Sequence, residues 1–311
     1  MHAAPVFMHI PDGFLSLPVS ILCWLFAIPM ISLAIHCTRS LGEHQIPLMG
    51  IMSAFIFAAQ MINFPVAGGT SGHLIGGTLS AILLGPWAGM LVLTAVIIVQ
   101  GLLFQDGGML VMGANILNMG VLPVIVGYGL YRMIQGSNRG VRLVVIGVAA
   151  WLSVMTGALA TSLELWLSGT ARLDLVMPAM LGIHALIGFG EALITVAALV
   201  LIFQTRPDLL EGQNIRATGG RGWIAAGLLV ALVVVVLSPL ASSNPDGLER
   251  VAIDMGFFEQ GLNAPYAILP DYTLPALGET PLSTILAGAL GLLIVTGIVV
   301  LIAHFIRKPT K

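Results

Sequence analysis

The chain has 311 residues, of which 58% are apolar and only 8% charged, and its mean hydropathy is +1.02. Soluble domains carry about 25% charged residues, so this composition excludes soluble, disordered and disulfide-rich secreted classes and points to an integral membrane protein. A formal net charge of -2 leaves no electrostatic footprint for nucleic acid.

The only lysines are Lys308 and Lys311. A phosphate-binding Walker loop needs Gly-Lys-Ser/Thr, so any use of ATP has to come from another chain. No Lys or Arg precedes Arg39. The positive start of a secretory signal is therefore missing, and the first apolar segment is expected to stay as a membrane span. Cys23 and Cys37 lie on that segment, about 21 Å apart on a helix. That is too far for a disulfide.

A helical span takes about 20 apolar residues. In chain order, the candidates are Leu17–Cys37, Leu48–Phe64, His73–Phe104, Ala114–Tyr131, Val141–Leu167, Val176–Phe203, Trp223–Leu240 and Ser283–Ile306. His73–Phe104 is long and carries Gly76, Gly77, Gly85 and Pro86. Arginine placement decides how it is divided. Arg39, the cluster Arg132, Arg139 and Arg142, the cluster Arg206, Arg216 and Arg221, and the tail of Arg307, Lys308 and Lys311 should all face the cytoplasm. They share one side only if His73–Phe104 crosses twice or re-enters, so a break at Gly85-Pro86 is expected. The total is then seven spans through Phe203 and two more, with the N-terminus outside and the C-terminus inside. The expected fold is all-α: a seven-helix membrane bundle over 1–205, a cytoplasmic linker over 206–222, and a second unit over 223–311. That unit has two helices around an external loop, 242–282. The loop holds Asp246, Glu249, Asp254, Glu259, Asp271 and Glu279 against Arg250. Such a loop could attract cations; the plainer expectation is a solvated loop, with a turn at Ser243-Asn244-Pro245-Asp246-Gly247.

Two histidines fall at the outer end of this topology. His9 sits in Met8-His9-Ile10-Pro11-Asp12-Gly13-Phe14, and His73 in the glycine-rich run Gly68 to Gly77. Histidine is the commonest transition-metal ligand, and glycines allow close backbone approach. If the mature chain begins at Met8, its α-amine, the His9 backbone nitrogen and the His9 imidazole form fused chelate rings, with His73 as a fourth nitrogen. Four planar nitrogens suit Ni(II) or Cu(II). Ordinary interfacial histidines are the alternative. Thr70 or Ser71 is expected to cap the following helix. Asn115 and Asn118 share one helix face and could hydrogen-bond the loops that hold His9 or His73; helix–helix bonding is the alternative. His184 and Glu191, with Glu164 in the preceding span, are either a cation path or proton relay, or a neutral packed pair. His36, His44 and His304 fall at cytoplasmic helix ends and are assigned no role.

Met8 through Phe14, Gly68 through Gly77, Leu84-Gly85-Pro86-Trp87-Ala88-Gly89 and Gly113 through Gly120, in this order, resemble the CbiM/NikM family. Its members are substrate-binding components of cobalt and nickel energy-coupling-factor transporters. The resemblance runs from about Met8 to Phe203. Pro245-Asp246-Gly247-Leu248-Glu249 resembles the PDGLE (NikN-like) domain. The resemblance implies a metal site of Met8, His9 and His73; from their own positions, Asn115, Asn118 and Ser71 are expected around it. The resemblance also implies Co²⁺ or Ni²⁺ as transported substrate, no bound organic cofactor, and partners comprising a transmembrane coupling subunit and ATPase subunits in the cytoplasmic membrane. Seven residues, Met1 to Phe7, precede the family's usual Met-His start; an upstream start codon, or processing before Met8, would leave Met8 terminal. A vitamin-type carrier and an intramembrane enzyme using His184, Glu191 and Glu164 are the rival readings.

Overall fold

The structure, a computed structural model, describes residues 8–43, 45–206 and 222–307. Met1–Phe7, His44, most of the linker and the last four residues, Lys308–Lys311, lie outside the described residues.

The first region runs α1 (Leu17–Thr38), α2 (Gln45–Gln60), a hairpin of β1 (Phe64–Val66) and β2 (Thr70–Gly72), α3 (Gly77–Leu84) and α4 (Pro86–Val99). It continues with α5 (Met112–Asn115), α6 (Leu122–Met133), α7 (Arg139–Leu167) and α8 (Leu173–Thr205). The second comprises α9 (Gly222–Leu237), α10 (Gly247–Met255) and α11 (Pro281–Ile306). Among the described residues, seven helices are long and apolar enough to cross a membrane. Leu25, Leu193 and Phe305 are 64%, 72% and 80% exposed. Apolar side chains on the outside, with polar Gln60, Asn118 and Glu191 buried within, invert the soluble arrangement. The chain is an all-α integral membrane protein.

The break at Gly85-Pro86 is present. Gly85 ends α3 at φ +79° and Pro86 starts α4; proline suits the first helical turn because its missing N–H has no partner there anyway. The two halves are unequal. The eight residues of α3 rise only about 12 Å, and every one is buried. It fills the bundle interior and is too short to cross. α2, at 16 residues, is also shorter than the expected Leu48–Phe64 span, because the chain leaves the helix for the hairpin at Phe64.

Two helices carry π-helical stretches. Gln100–Phe104 closes α4, and Ile116–Val121 joins α5 to α6. π-Turns are rare and favour functional sites.

The arginine-bearing ends lie together. Arg307 pairs with Glu43 at 2.8 Å. Arg139 and Arg142 sit over the Phe203 ring, and Arg206 over Trp223.

The second region packs closely on the first. α11 lies along α2, where Gly288 and Gly291 leave room for Met61, Phe57 and Phe104. Small residues at such crossings let helices approach closely within a membrane.

The expectation of a merely solvated loop over 242–282 does not hold. Ser242 N–H donates to Asn63 O at 2.7 Å and Leu269 N–H to Leu103 O at 3.0 Å. Asp246 and Glu249 form a reciprocal capping box at the start of α10, which satisfies backbone donors left over at a helix start. Leu248, Val251 and Phe257 are buried against Ile10 and Phe14. Their burial outweighs the acidic charge around them.

Candidate metal centre

The N-terminal segment is held by two side chains. Asp12 accepts the backbone N–H groups of Met109, Leu110 and Val111, at 2.9, 2.9 and 3.2 Å. Asn115 bonds both polar groups of Ile10, accepting from its N–H and donating to its carbonyl, each at 3.0 Å. This is how a neighbouring strand would hold it. Gly108 N–H also donates to Ile10 O, at 2.9 Å. The segment is thereby pressed into the bundle, and His9 ends only 2% exposed.

His9 Nδ1 lies 3.0 Å from the Asp106 carbonyl and 3.5 Å from its carboxylate Oδ1. A nitrogen bonded to a carbonyl carries the proton, so Nε2 is the bare one. That atom is buried and meets no partner among the described residues. A half-turn about Cβ–Cγ puts Nδ1 where Cδ2 was and Nε2 where Cε1 was. Gly107, at φ +107°, makes the approach possible: a Cβ there would sit 3.1 Å from His9 Cβ and 2.9 Å from Asn115 Nδ2.

His73 follows β2, and its ring stands edge-on to His9 with centroids 5.6 Å apart. The Met8 backbone is within hydrogen-bonding reach of His73. Met8, His9 and His73 therefore converge. Burial, and then the neighbouring His9, hold the His73 imidazole below its ordinary range. It is neutral near pH 7 and free to donate a lone pair. The loop after it is fixed by a carboxylate in α8. Glu191 accepts the N–H groups of Ile75 and Gly76 at 2.7 and 2.9 Å, while Gln60 Nε2 donates to Ile75 O at 3.0 Å.

The other sequence-predicted residues take separate places. Thr70 and Ser71 lie in β2, and α3 starts after Gly76, so neither is a helix cap. Ser71 instead ties the hairpin to the second region: its N–H donates to Pro245 O and its Oγ to Asn244 O, both at 2.8 Å. Asn118 does not reach the histidine loops. Its Nδ2 donates to Thr161 Oγ1 at 3.1 Å and Glu164 Oε2 at 2.7 Å, a helix–helix bond. His184 and Glu191 are not a mutual pair. His184 Nδ1 donates to Met180 O at 2.8 Å, and Glu191 serves the His73 loop.

Three contributors were not singled out from sequence. Asp12 and Asp106 are isolated acids beside apolar runs, a signal that could have marked them. Tyr272 carried none. Its hydroxyl donates to Asp106 Oδ2 at 2.7 Å, and its ring stacks on Phe104 at 4.7 Å. Gln105, Asp271 and Tyr272 are the non-glycine residues with positive φ among those described, at 62°, 50° and 55°. All three flank Asp106, and backbone strain of this kind persists where surrounding contacts over-determine it.

A cavity of about 70 Å³ adjoins the pair, with Met8, His73, Asn118, Thr161 and His184 in its wall together with Asp246 and Gly247 of the second region. A Cβ on Gly247 would fall 2.8 Å from His184 Cε1, so only glycine lets the α10 start dock there.

The family model described as the cobalt uptake substrate-specific transmembrane region, CbiM, matches residues 9–209, and the PDGLE domain matches 221–308. A protein of Archaeoglobus fulgidus, provisionally named a fused nickel transport protein, NikMN, is 35% identical over 308 residues, 96% of this chain and 99% of its own length. The cobalt transport protein CbiM of Geobacter sulfurreducens is 29% identical over 277 residues, covering 82% of this chain and 79% of its own. The crystal structure of a truncated transition metal transporter superposes with a TM-score of 0.57 at 34% identity, over 63% of this chain and 98% of the other. These relatives are transport proteins and not enzymes. The chain belongs to the CbiM family of cobalt uptake substrate-specific transmembrane proteins and carries a PDGLE domain at its C-terminal end.

Proposed function

We propose that this chain is the substrate-capture subunit for uptake of Co²⁺ or Ni²⁺ across the cytoplasmic membrane. The buried His9 imidazole, one ring nitrogen of which meets no partner among the described residues, carries the reading together with His73 and the Met8 backbone beside it. A buried polar atom without a partner is costly, and a cation answers the deficit.

The donor set fits a borderline divalent ion. Among the described residues, no group of three His, Cys, Asp or Glu side chains is placed to hold a metal. Two imidazoles therefore need main-chain nitrogen to complete a coordination sphere, and in this reading Met8 and His9 supply it, Met8 through its amine when it is the terminal residue. With the His9 ring turned, Nδ1 closes the chelate and Nε2–H donates to Asp106. A ligating histidine ordinarily keeps such a bond through its other nitrogen. A planar nitrogen set that includes the ionised His9 amide selects by geometry, since raw affinity favours copper.

The positive-inside rule places the clustered arginine ends in the cytoplasm. That puts the N-terminus and the His9–His73 pair outside and the C-terminus inside. Residues 1–205 act as the capture module. Residues 223–311, joined through 206–222, act as the module that closes over it. Without a Walker loop in the chain, energy comes from ATPase subunits through a membrane coupling subunit, the composition of an energy-coupling-factor transporter.

The test is equilibrium dialysis of the purified full chain with Ni²⁺ and Co²⁺. His9→Ala and His73→Ala should each weaken binding at least 100-fold while the protein still inserts. Submicromolar binding retained by both variants would falsify the capture site.

A further inference from the structure

We infer that the cavity adjoining His73 is a second station for the transported ion, with His184 and Asn118 as its protein ligands. The inference rests on the capture reading, because that site is what delivers the ion.

Met8 and His73 both lie in the wall, so the cavity adjoins the capture site. Its volume of about 70 Å³ has room for an ion with a water or two. The far wall offers two donors already oriented. His184 Nδ1 is spent on the Met180 carbonyl at 2.8 Å, which leaves Nε2 with the lone pair. A carbonyl on the second nitrogen is the usual support of a ligating histidine. Asn118 gives its amide hydrogens to Thr161 and Glu164. Its Oδ1 is consequently fixed, and it is buried without a partner. Asn118 as a whole is 3% exposed. The Glu164 carboxyl group lies behind it, outside the wall.

The backbone here is also unusual. Asn118 belongs to the π-helical stretch Ile116–Val121. On the facing helix, Gly157 allows the main chains to meet: a Cβ there would fall 2.8 Å from Asn118 O. A π-turn at a functional site re-aims a side chain that a regular helix would direct elsewhere.

One imidazole and one amide oxygen, completed by water, suit Co²⁺ or Ni²⁺ but hold it less tightly than a nitrogen chelate. That order favours handing the ion inward. Asp246 and Gly247 of the second region also line the cavity, so both regions face the ion while it is there.

The experiment is a Co²⁺ titration of the purified full chain, by equilibrium dialysis with visible absorption spectra. Wild type should bind one tight equivalent and a second at least tenfold weaker. His184→Ala and Asn118→Leu should each lose the second equivalent and keep the first, which also shows that the variants fold. Uptake by cells that carry the partner subunits should fall at least tenfold in both. His9→Ala should lose the tight equivalent and keep the weak one; a tight equivalent surviving that change counts against the capture site and not against the station. A second equivalent that persists in His184→Ala, with wild-type uptake, overturns the station. Loss of both equivalents in both variants also overturns it, because the two sites would then be one.

Discussion

Asp106 joins two parts of the chain that lie far apart in sequence. Its carbonyl orients His9, and its carboxylate accepts the Tyr272 hydroxyl. Tyr272→Phe removes that donor and keeps the ring stacked on Phe104. A buried carboxylate that loses a hydrogen bond costs about 1–3 kcal/mol. The expected outcome is a roughly tenfold or greater loss of Ni²⁺ affinity with α-helical content unchanged, read by dialysis and circular dichroism. Unchanged affinity would show that the Tyr272 contact only stabilises the loop. The residues that make this network differ in how visible they are beforehand. His9 and His73 stand out because histidines are rare in apolar runs. Asn115 is visible as one of two amides on a helix face. Tyr272 is not visible, since its role exists only once loop 242–282 is folded back on Asp106.

Loop 242–282 behaves as a structural element with its own titration. Burial raises the carboxyl groups of Asp246 and Glu249 above their ordinary range. Burial, and then Asp106 and Glu279, push Asp271 up to about 6. A carboxyl whose folded pKa lies above its unfolded value binds more protons when folded. Its stabilising contribution is complete below the unfolded value near 4 and declines as pH rises through the folded one. The docked loop should therefore resist proteolysis better at pH 5 than at pH 7.5. Asp271→Asn should flatten the part of the difference due to that residue, at most about 1 kcal/mol because the side chain is partly open to solvent. Equal cleavage of wild type at both pH values would sink the expectation. The acidic composition of this segment suggests solvation; the capping box and the buried Leu248, Val251 and Phe257 show why it folds instead. At the same scale, Gly85-Pro86 predicts the helix break, since both residues interrupt the hydrogen-bond ladder wherever they occur. That α3 is a short interior plug follows from its neighbours, not from its own residues.

The sequence carries no Walker loop, so the proposed capture subunit has to draw its energy from other chains. Reconstituted alone into vesicles, it should bind Ni²⁺ and move none on addition of ATP; the same vesicles with the coupling and ATPase subunits should accumulate it. ATP-driven accumulation by the lone chain would exclude the proposed division of labour. Much of this molecule is decided by composition and local pattern. Hydropathy dictates a membrane protein because an 8% charged chain cannot cover a water-facing surface. The long apolar runs become helices because lipid leaves backbone groups no other partner. The helix ends with arginine fall together because one side of the membrane favours them. What the tertiary structure alone decided is pairing over distance. Glu191 holds the His73 loop, Asp12 seats the N-terminal segment, and the PDGLE segment lines the cavity. These contacts join residues more than ninety positions apart. Their energies depend on which groups burial leaves without water, and no local pattern records that.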